Sequence, residues 1–222
     1  MSHRPFKDRI YAEFARIGRT LASDRRLELL DLLVQGPRNV EALAVEPEQP
    51  MANVSQHLQV LRRARLVETN REGTKVRYRL ADSAVLDLWL ALRKVAEVRL
   101  PELAQITNEF AGPEPESLLP RVELQKLLKR GDVYVIDVRP TLEFESGHIP
   151  GAQPIPVEEL PARLNELPRN KRIIAYCRGA YCLFADEAVQ LLRQNGFDAQ
   201  RIEGGWTEWL AEGRPRKPAS TR

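Results

Sequence analysis

Residues 54–80 read VSQHLQVLRRARLVETNREGTKVRYRL, and the hydrophobic period changes once inside them. Val54, Leu58 and Leu61 are spaced four and three, as along one face of a helix running from about Met51 to Ala64. After Val67 the pattern shortens to two strands around a turn at Arg71–Thr74. Asn53, Gln56, Gln59 and Arg63 fall on the helix face opposite the apolar seam, flanked by Ser55, His57 and Arg62. Amides on an exposed helix face can pair bidentately with adenine, and arginine with guanine or phosphate. The hairpin would lay Arg71, Lys75 and Arg77 along a neighbouring phosphate backbone.

Charge supports the same reading. Residues 62–79 carry seven basic side chains (Arg62, Arg63, Arg65, Arg71, Lys75, Arg77, Arg79) against Glu68 and Glu72. That local excess speaks for a polyanion partner more clearly than the formal net charge of +3 over 222 residues.

Upstream, Ile10, Phe14, Ile17 and Leu21 mark a helix. Ser23 or Asp24 can cap the next one, which carries Leu27, Leu30, Leu33 and Val34 and ends at Gly36-Pro37. A short helix spans Val40–Val45. Downstream, Ser83 to Phe110 is helical, with Pro101 expected to kink or split it. Three helices, then a two-stranded hairpin, is the order of a winged helix-turn-helix. Val85, Trp89, Leu92, Ala96, Leu103, Ile106 and Phe110 form a seam suited either to a partner helix or to the domain's own core.

The stretch AGPEPES, residues 111–117, has two prolines and no apolar side chain larger than alanine, and reads as a linker. Beyond it, strands and helices alternate. VYVIDVR and RIIAYC are β-branched buried strands, AQRIEGG a third, and helices separate them. Such alternation gives a parallel sheet covered by helices, with ligands at the carboxyl ends of its strands. The expected division is 1–110, a linker at 111–117, 118–212, and a flexible tail at 213–222.

Composition sets the outer limits. A hydrophobic fraction of 43% with 29% charged residues excludes global disorder. No apolar run is long enough for a membrane span, and the start MSHRPFKDRI lacks a signal-peptide core, so the expected compartment is the cytoplasm. Two cysteines exclude a disulfide scaffold and a four-thiolate zinc site. Both lie in CRGAYC. Cys177 closes a buried strand, and the loop Arg178-Gly179-Ala180-Tyr181 leads through Cys182 into a helix. Backbone N–H groups and a helix N-terminus aimed at the sulfur favour a thiolate or persulfide, with Arg178 adding charge. The plainer alternative is a small buried thiol.

The first half resembles ArsR/SmtB-type repressors over roughly residues 7–105, most specifically in VSQHLQVLRRARLV. The resemblance implies a homodimer reading a palindromic operator in double-stranded DNA. Residues 38–50 hold no Cys or His and the last helix no His, so no metal site is expected in this half. The second half resembles a rhodanese domain. The resemblance rests on Asp137-Val138-Arg139, Glu143-Phe144, GHIPGA at 147–152, the Cys177 loop, and Glu203-Gly204-Gly205-Trp206 with Trp209. It implies sulfurtransferase chemistry without metal or organic cofactor. Cys177 takes a sulfur atom from a sulfane donor and passes it to a thiol acceptor. Asp137 and Arg139 are expected as a structural or pocket-wall pair, and His148 as structural. Cys182 stands where the family commonly has Arg or Lys, which puts thiosulfate cleavage in question and sets a second thiol on the loop. Three functions stay open: a repressor sensing reactive sulfur through a Cys177 persulfide, an active sulfurtransferase with an autoregulatory DNA-binding half, and an oxidant or arsenite sensor using Cys177 and Cys182.

Overall fold

A computed structural model describes residues 3–111 and 118–218. The chain divides into two compact units, Met1–Lys94 and Val95–Arg222, with the division inside a continuous helix. All but the first residue of the expected linker lies outside the described residues.

In the first unit, α1 (Arg4–Leu21), α2 (Asp24–Val34), α3 (Val40–Val45) and α4 (Met51–Arg63) precede β1 (Val67–Glu72), β2 (Lys75–Leu80) and α5 (Ser83–Arg99). The core joins Leu29, Leu30 and Leu33 of α2 to Leu43 of α3, to Val54, Leu58 and Leu61 of α4, and to Val85 of α5. Ile17 and Leu21 of α1 pack against it. The Asn39 side chain caps α3 by accepting from the Ala42 N–H at 3.0 Å. Ser23 occupies the N-cap of α2, but its side chain makes no capping bond.

β1 and β2 pair antiparallel from Val67↔Leu80 to Glu72↔Lys75, which leaves only Gly73 and Thr74 in the turn. Gly73 has φ 62°, so glycine takes the first of two turn positions, the geometry whose twist suits a hairpin. The turn is thus tighter than the expected Arg71–Thr74, because Arg71 and Glu72 are drawn into the ladder. A bridge between Arg38 and Tyr78 ties the hairpin to the segment after α2.

The second unit contains the end of α5 and α6 (Pro101–Ala111), then α7 (Arg121–Arg130), β3 (Val133–Asp137), α8 (Thr141–Ser146), β4 (Gly147–His148) and β5 (Gln153–Pro154). It continues with α9 (Leu160–Arg163), β6 (Arg172–Tyr176), α10 (Phe184–Gln194), β7 (Ala199–Arg201), α11 (Trp206–Ala211) and β8 (Lys217–Pro218). The helix expected over Ser83–Phe110 is indeed split before Pro101. The central sheet has the order β5-β3-β6-β7 and is parallel throughout.

The period of two along a strand divides the residues of β6 between two cores. Ile173, Ala175 and Cys177 join Ile136, Val138, Ala185, Ala188 and Leu192 on one face. Ile174 and Tyr176 join Val133, Val135, Leu124, Trp206 and Trp209 on the other. The strands therefore read as nearly continuous apolar runs, as a sheet covered on both sides requires.

The tail differs from expectation. β8 pairs antiparallel with β4, Gly147 opposite Pro218 and His148 opposite Lys217, and the Trp209 indole N–H donates to the Pro215 carbonyl at 2.8 Å. Residues 213–218 are thus held on the domain, because the GH strand offers an open edge and Trp209 a buried donor. Residues 219–222 lie outside the described set.

Candidate functional site

The loop that follows β6 is built by contacts from three directions. Cys177 is 1% exposed, on the face of β6 that α10 covers. Its Sγ donates to the Cys182 carbonyl at 3.1 Å and lies 3.7 Å from the Gly179 carbonyl. Both cysteines are free thiols. Burial pushes the Cys177 thiol well up, and the neighbouring Cys182 thiol pushes the same way. The Cys177 thiol in turn pulls Cys182 down, helped by the backbone at Arg178 and Phe184 and by the Arg178 charge. Backbone bonding at Ala185 and Gly179 favours a Cys177 anion, as expected of a strand–loop–helix site, but burial outweighs it. Cys182 is only partly buried.

Arg178, expected to add positive charge at the loop, is paired and buried. Its Nε donates to both Glu143 carboxylate oxygens at 3.0 Å and its Nη2 to Oε1 at 2.5 Å. The two side chains are 9% and 0% exposed. A buried charge requires such a partner, so Glu143, from α8, consumes the positive charge of the loop.

α11 closes the loop from below. The Trp206 N–H donates to the Cys177 carbonyl at 2.9 Å and the Thr207 N–H to the Arg178 carbonyl at 2.8 Å. This approach works only because residue 205 is glycine: a Cβ there would lie 2.4 Å from the Cys177 carbonyl oxygen and 2.6 Å from the Gly179 nitrogen. The Glu208 carboxylate accepts from the Gly205 N–H at 2.8 Å and stands beside Gly179, where a Cβ would meet its oxygens at 3.2 Å. Ala180 and Tyr181 form the exposed tip of the loop, and the Tyr181 hydroxyl donates to Glu97 Oε1 at 2.9 Å within the same unit. Glu143, Gly205 and Glu208 are the site residues that reasoning from sequence left without a role there. The EGGW motif was the available signal, but it did not reveal which loop it touches.

Asp137 and Arg139 do not line this site. Arg139 donates to Asp137 through Nε at 2.9 Å and Nη2 at 2.6 Å, and from Nη2 to the Gly147 carbonyl at 2.9 Å. Tyr176 donates to Asp137 at 2.5 Å and accepts from the Ile149 N–H at 3.1 Å. The Arg139 guanidinium stacks 4.9 Å from the Trp206 ring. Both members of the pair are fully buried, on the sheet face that Tyr176 shares and Cys177 does not. Of the two roles expected for them, structural or pocket wall, the geometry gives the structural one: a strut joining β3, β4, β6 and α11. His148 is likewise structural in placement, its Nδ1 3.0 Å from the Phe144 carbonyl and its ring stacked on Phe144 at 3.7 Å.

In the first unit, α4 buries Val54, Leu58 and Leu61 and leaves Asn53, Gln56, Arg62 and Arg63 exposed, with Ser55, His57 and Gln59 half-buried beside them. Arg71 and Lys75 are exposed on the hairpin and Arg77 is half-buried. Arg79 pairs with Glu68 across the ladder at 2.5 Å.

A winged helix with a polar recognition face, and a parallel-sheet unit with a cysteine loop at its strand ends, define a DNA-binding regulator joined to a rhodanese-like domain. A family model for bacterial regulatory proteins of the arsR family matches residues 23–69, and one for the rhodanese-like domain matches residues 121–212. The chain is 42% identical over 203 residues to the HTH-type transcriptional regulator Rv0324 of Mycobacterium tuberculosis, covering 91% of this chain and 89% of that one. The chain therefore belongs to this family of ArsR-type transcriptional regulators fused to a rhodanese domain. It is also 30% identical over 92 residues to a sulfurtransferase of Allochromatium vinosum, covering 41% of this chain and 84% of that protein. Among solved structures, the homodimeric winged helix-turn-helix fragment 1–100 of Mb0332 from Mycobacterium bovis aligns at 41% identity, covering 45% of this chain and 91% of that one, with a TM-score of 0.42. Among the described residues no helix is long and apolar enough to cross a membrane.

Proposed function

We propose that this regulator represses from a DNA operator as a cytoplasmic homodimer, and that sulfane sulfur stored as a persulfide on Cys177 changes its operator affinity. The observation that carries the reading is the contact between Cys177 and Cys182 on one strand-end loop. The first unit contributes no cysteine, so any thiol chemistry available to the regulator resides in that loop. Operator contact falls to Asn53, Ser55, Gln56, His57, Gln59, Arg62 and Arg63 of α4, and to Arg71, Lys75 and Arg77 of the hairpin. Exposed apolar side chains support dimer formation: Phe6, Ile10 and Phe14 run along α1, and Leu88 and Leu92 along α5.

Operator binding measured with and without inorganic polysulfide tests the reading. The expected shift is about 5- to 150-fold, the ordinary span of coupling between two sites. Cys177→Ser should abolish it, and a variant that responds like wild type sinks the proposal. Sustained turnover of thiosulfate would instead identify a working sulfurtransferase. The pairing of Arg178 with Glu143 argues against that outcome, because it leaves the loop without a cation presented to a dianionic donor.

A further inference from the structure

Resting on the sulfur-sensing reading, we propose that Cys182 is the entry thiol of this loop and relays its sulfur to Cys177. Two observations carry the order. Cys177 is 1% exposed beneath α10, whereas Cys182 is only partly buried. The Cys177 thiol points its hydrogen at the Cys182 carbonyl, 3.1 Å away, with the Gly179 carbonyl at 3.7 Å; both acceptors favour its protonated form. That contact already sets Cys177 Sγ against residue 182, so transfer between the two side chains stays within one short loop. The loop thus separates capture from storage, and storage is shielded from bulk thiols.

The steps balance. The Cys182 thiolate attacks the outer sulfur of a hydropersulfide donor. The donor S–S bond breaks and its thiol leaves, giving Cys182–S–SH. Cys177 then attacks the outer sulfur of that group. The Cys182 sulfur departs as the leaving group and receives the Cys177 proton, giving Cys177–S–SH and Cys182–SH. A leaving thiol of lower pKa departs faster, which matches the direction of the shift at Cys182. The persulfide left on Cys177 lies where backbone bonding from Gly179 and Ala185 favours an anion.

The test uses the full chain exposed briefly to glutathione hydropersulfide, then quenched by alkylation and mapped by peptide mass. In wild type, extra sulfur is expected on Cys182 first and on Cys177 later. Cys177→Ser should retain sulfur on Cys182. Cys182→Ser should load Cys177 about tenfold more slowly, as loss of the more accessible thiol implies. Loading of Cys182→Ser at the wild-type rate overturns the relay, as does a Cys177–Cys182 disulfide formed with release of hydrogen sulfide. A check free of mutation is the alkylation order in untreated wild type: Cys182 before Cys177 is expected, and the reverse overturns the proposal. Sulfur appearing on Cys177 alone would remove the relay and leave the sensing reading standing. No sulfur on either thiol would remove both.

Discussion

The two functional surfaces are built in opposite ways. On α4 the polar side chains proposed to read DNA are exposed or half-buried, and the scaffold is the buried seam Val54-Leu58-Leu61 beneath them. On the β6–α10 loop the thiol proposed to store sulfur is itself buried, and its surroundings come from α8, α10 and α11. The ion pairs repeat the contrast. Arg79–Glu68 is about half exposed on both sides, whereas Arg178–Glu143 is 9% and 0% exposed. An exposed surface tolerates change one residue at a time, whereas a buried site fails as a unit, because an unmatched buried group has no water to turn to.

The largest expected effect follows from breaking the buried pair. Glu143→Gln leaves Arg178 buried with its countercharge gone and should cost about 3–5 kcal/mol, read by denaturant unfolding of the second unit. A loss below about 0.5 kcal/mol would place this loop with ordinary surface. On α4, Gln56→Ala should weaken operator binding by about 1–3 kcal/mol while leaving the melting temperature unchanged. If both fall together, α4 is scaffold rather than reading surface.

The pH dependence of alkylation sharpens the comparison at the thiols. Cys182 is held below the usual thiol range chiefly by the neighbouring Cys177 thiol. Its thiolate, the reactive form, is therefore present to lower pH than for an ordinary cysteine. Cys177→Ala removes that neighbour, so the midpoint of the Cys182 alkylation profile should move up in pH. A profile that stays in place would mean that Cys177 does not set the reactivity. The smallest effect belongs to Glu68→Gln. Its pair is exposed, so stability should change by less than about 0.5 kcal/mol. Freeing Arg79 should leave operator affinity equal or tighter, checked in the same binding assay.

Much of this was readable from local pattern. The four-three spacing of α4, the alternation of the hairpin and the apolar run ending at Cys177 each arise from the repeat of one element, so the chain displays them without its neighbours. The break at Pro101 is equally local. The charge state of the cysteine loop was not. The sequence places the positive charge of Arg178 on the loop, but Glu143, 35 residues earlier, lies against it. Asp137 and Arg139 carry a motif that names them, but only the register Asp137↔Tyr176 puts them across the sheet from Cys177. Residues 213–218 have the composition of a loose tail, yet β4 lies 69 to 71 positions back from its partners, with an open edge to pair them.

The sequence by itself determined the class of each half, the polar face of α4, and the confinement of thiols to Cys177 and Cys182, since periodicity and residue identity are properties of the chain. Only the tertiary structure decided which charges cancel, which face each strand residue takes relative to the loop, and that the Cys177 thiol meets the Cys182 carbonyl. Those outcomes depend on close packing between segments far apart in the chain, and spacing along a single segment does not encode them.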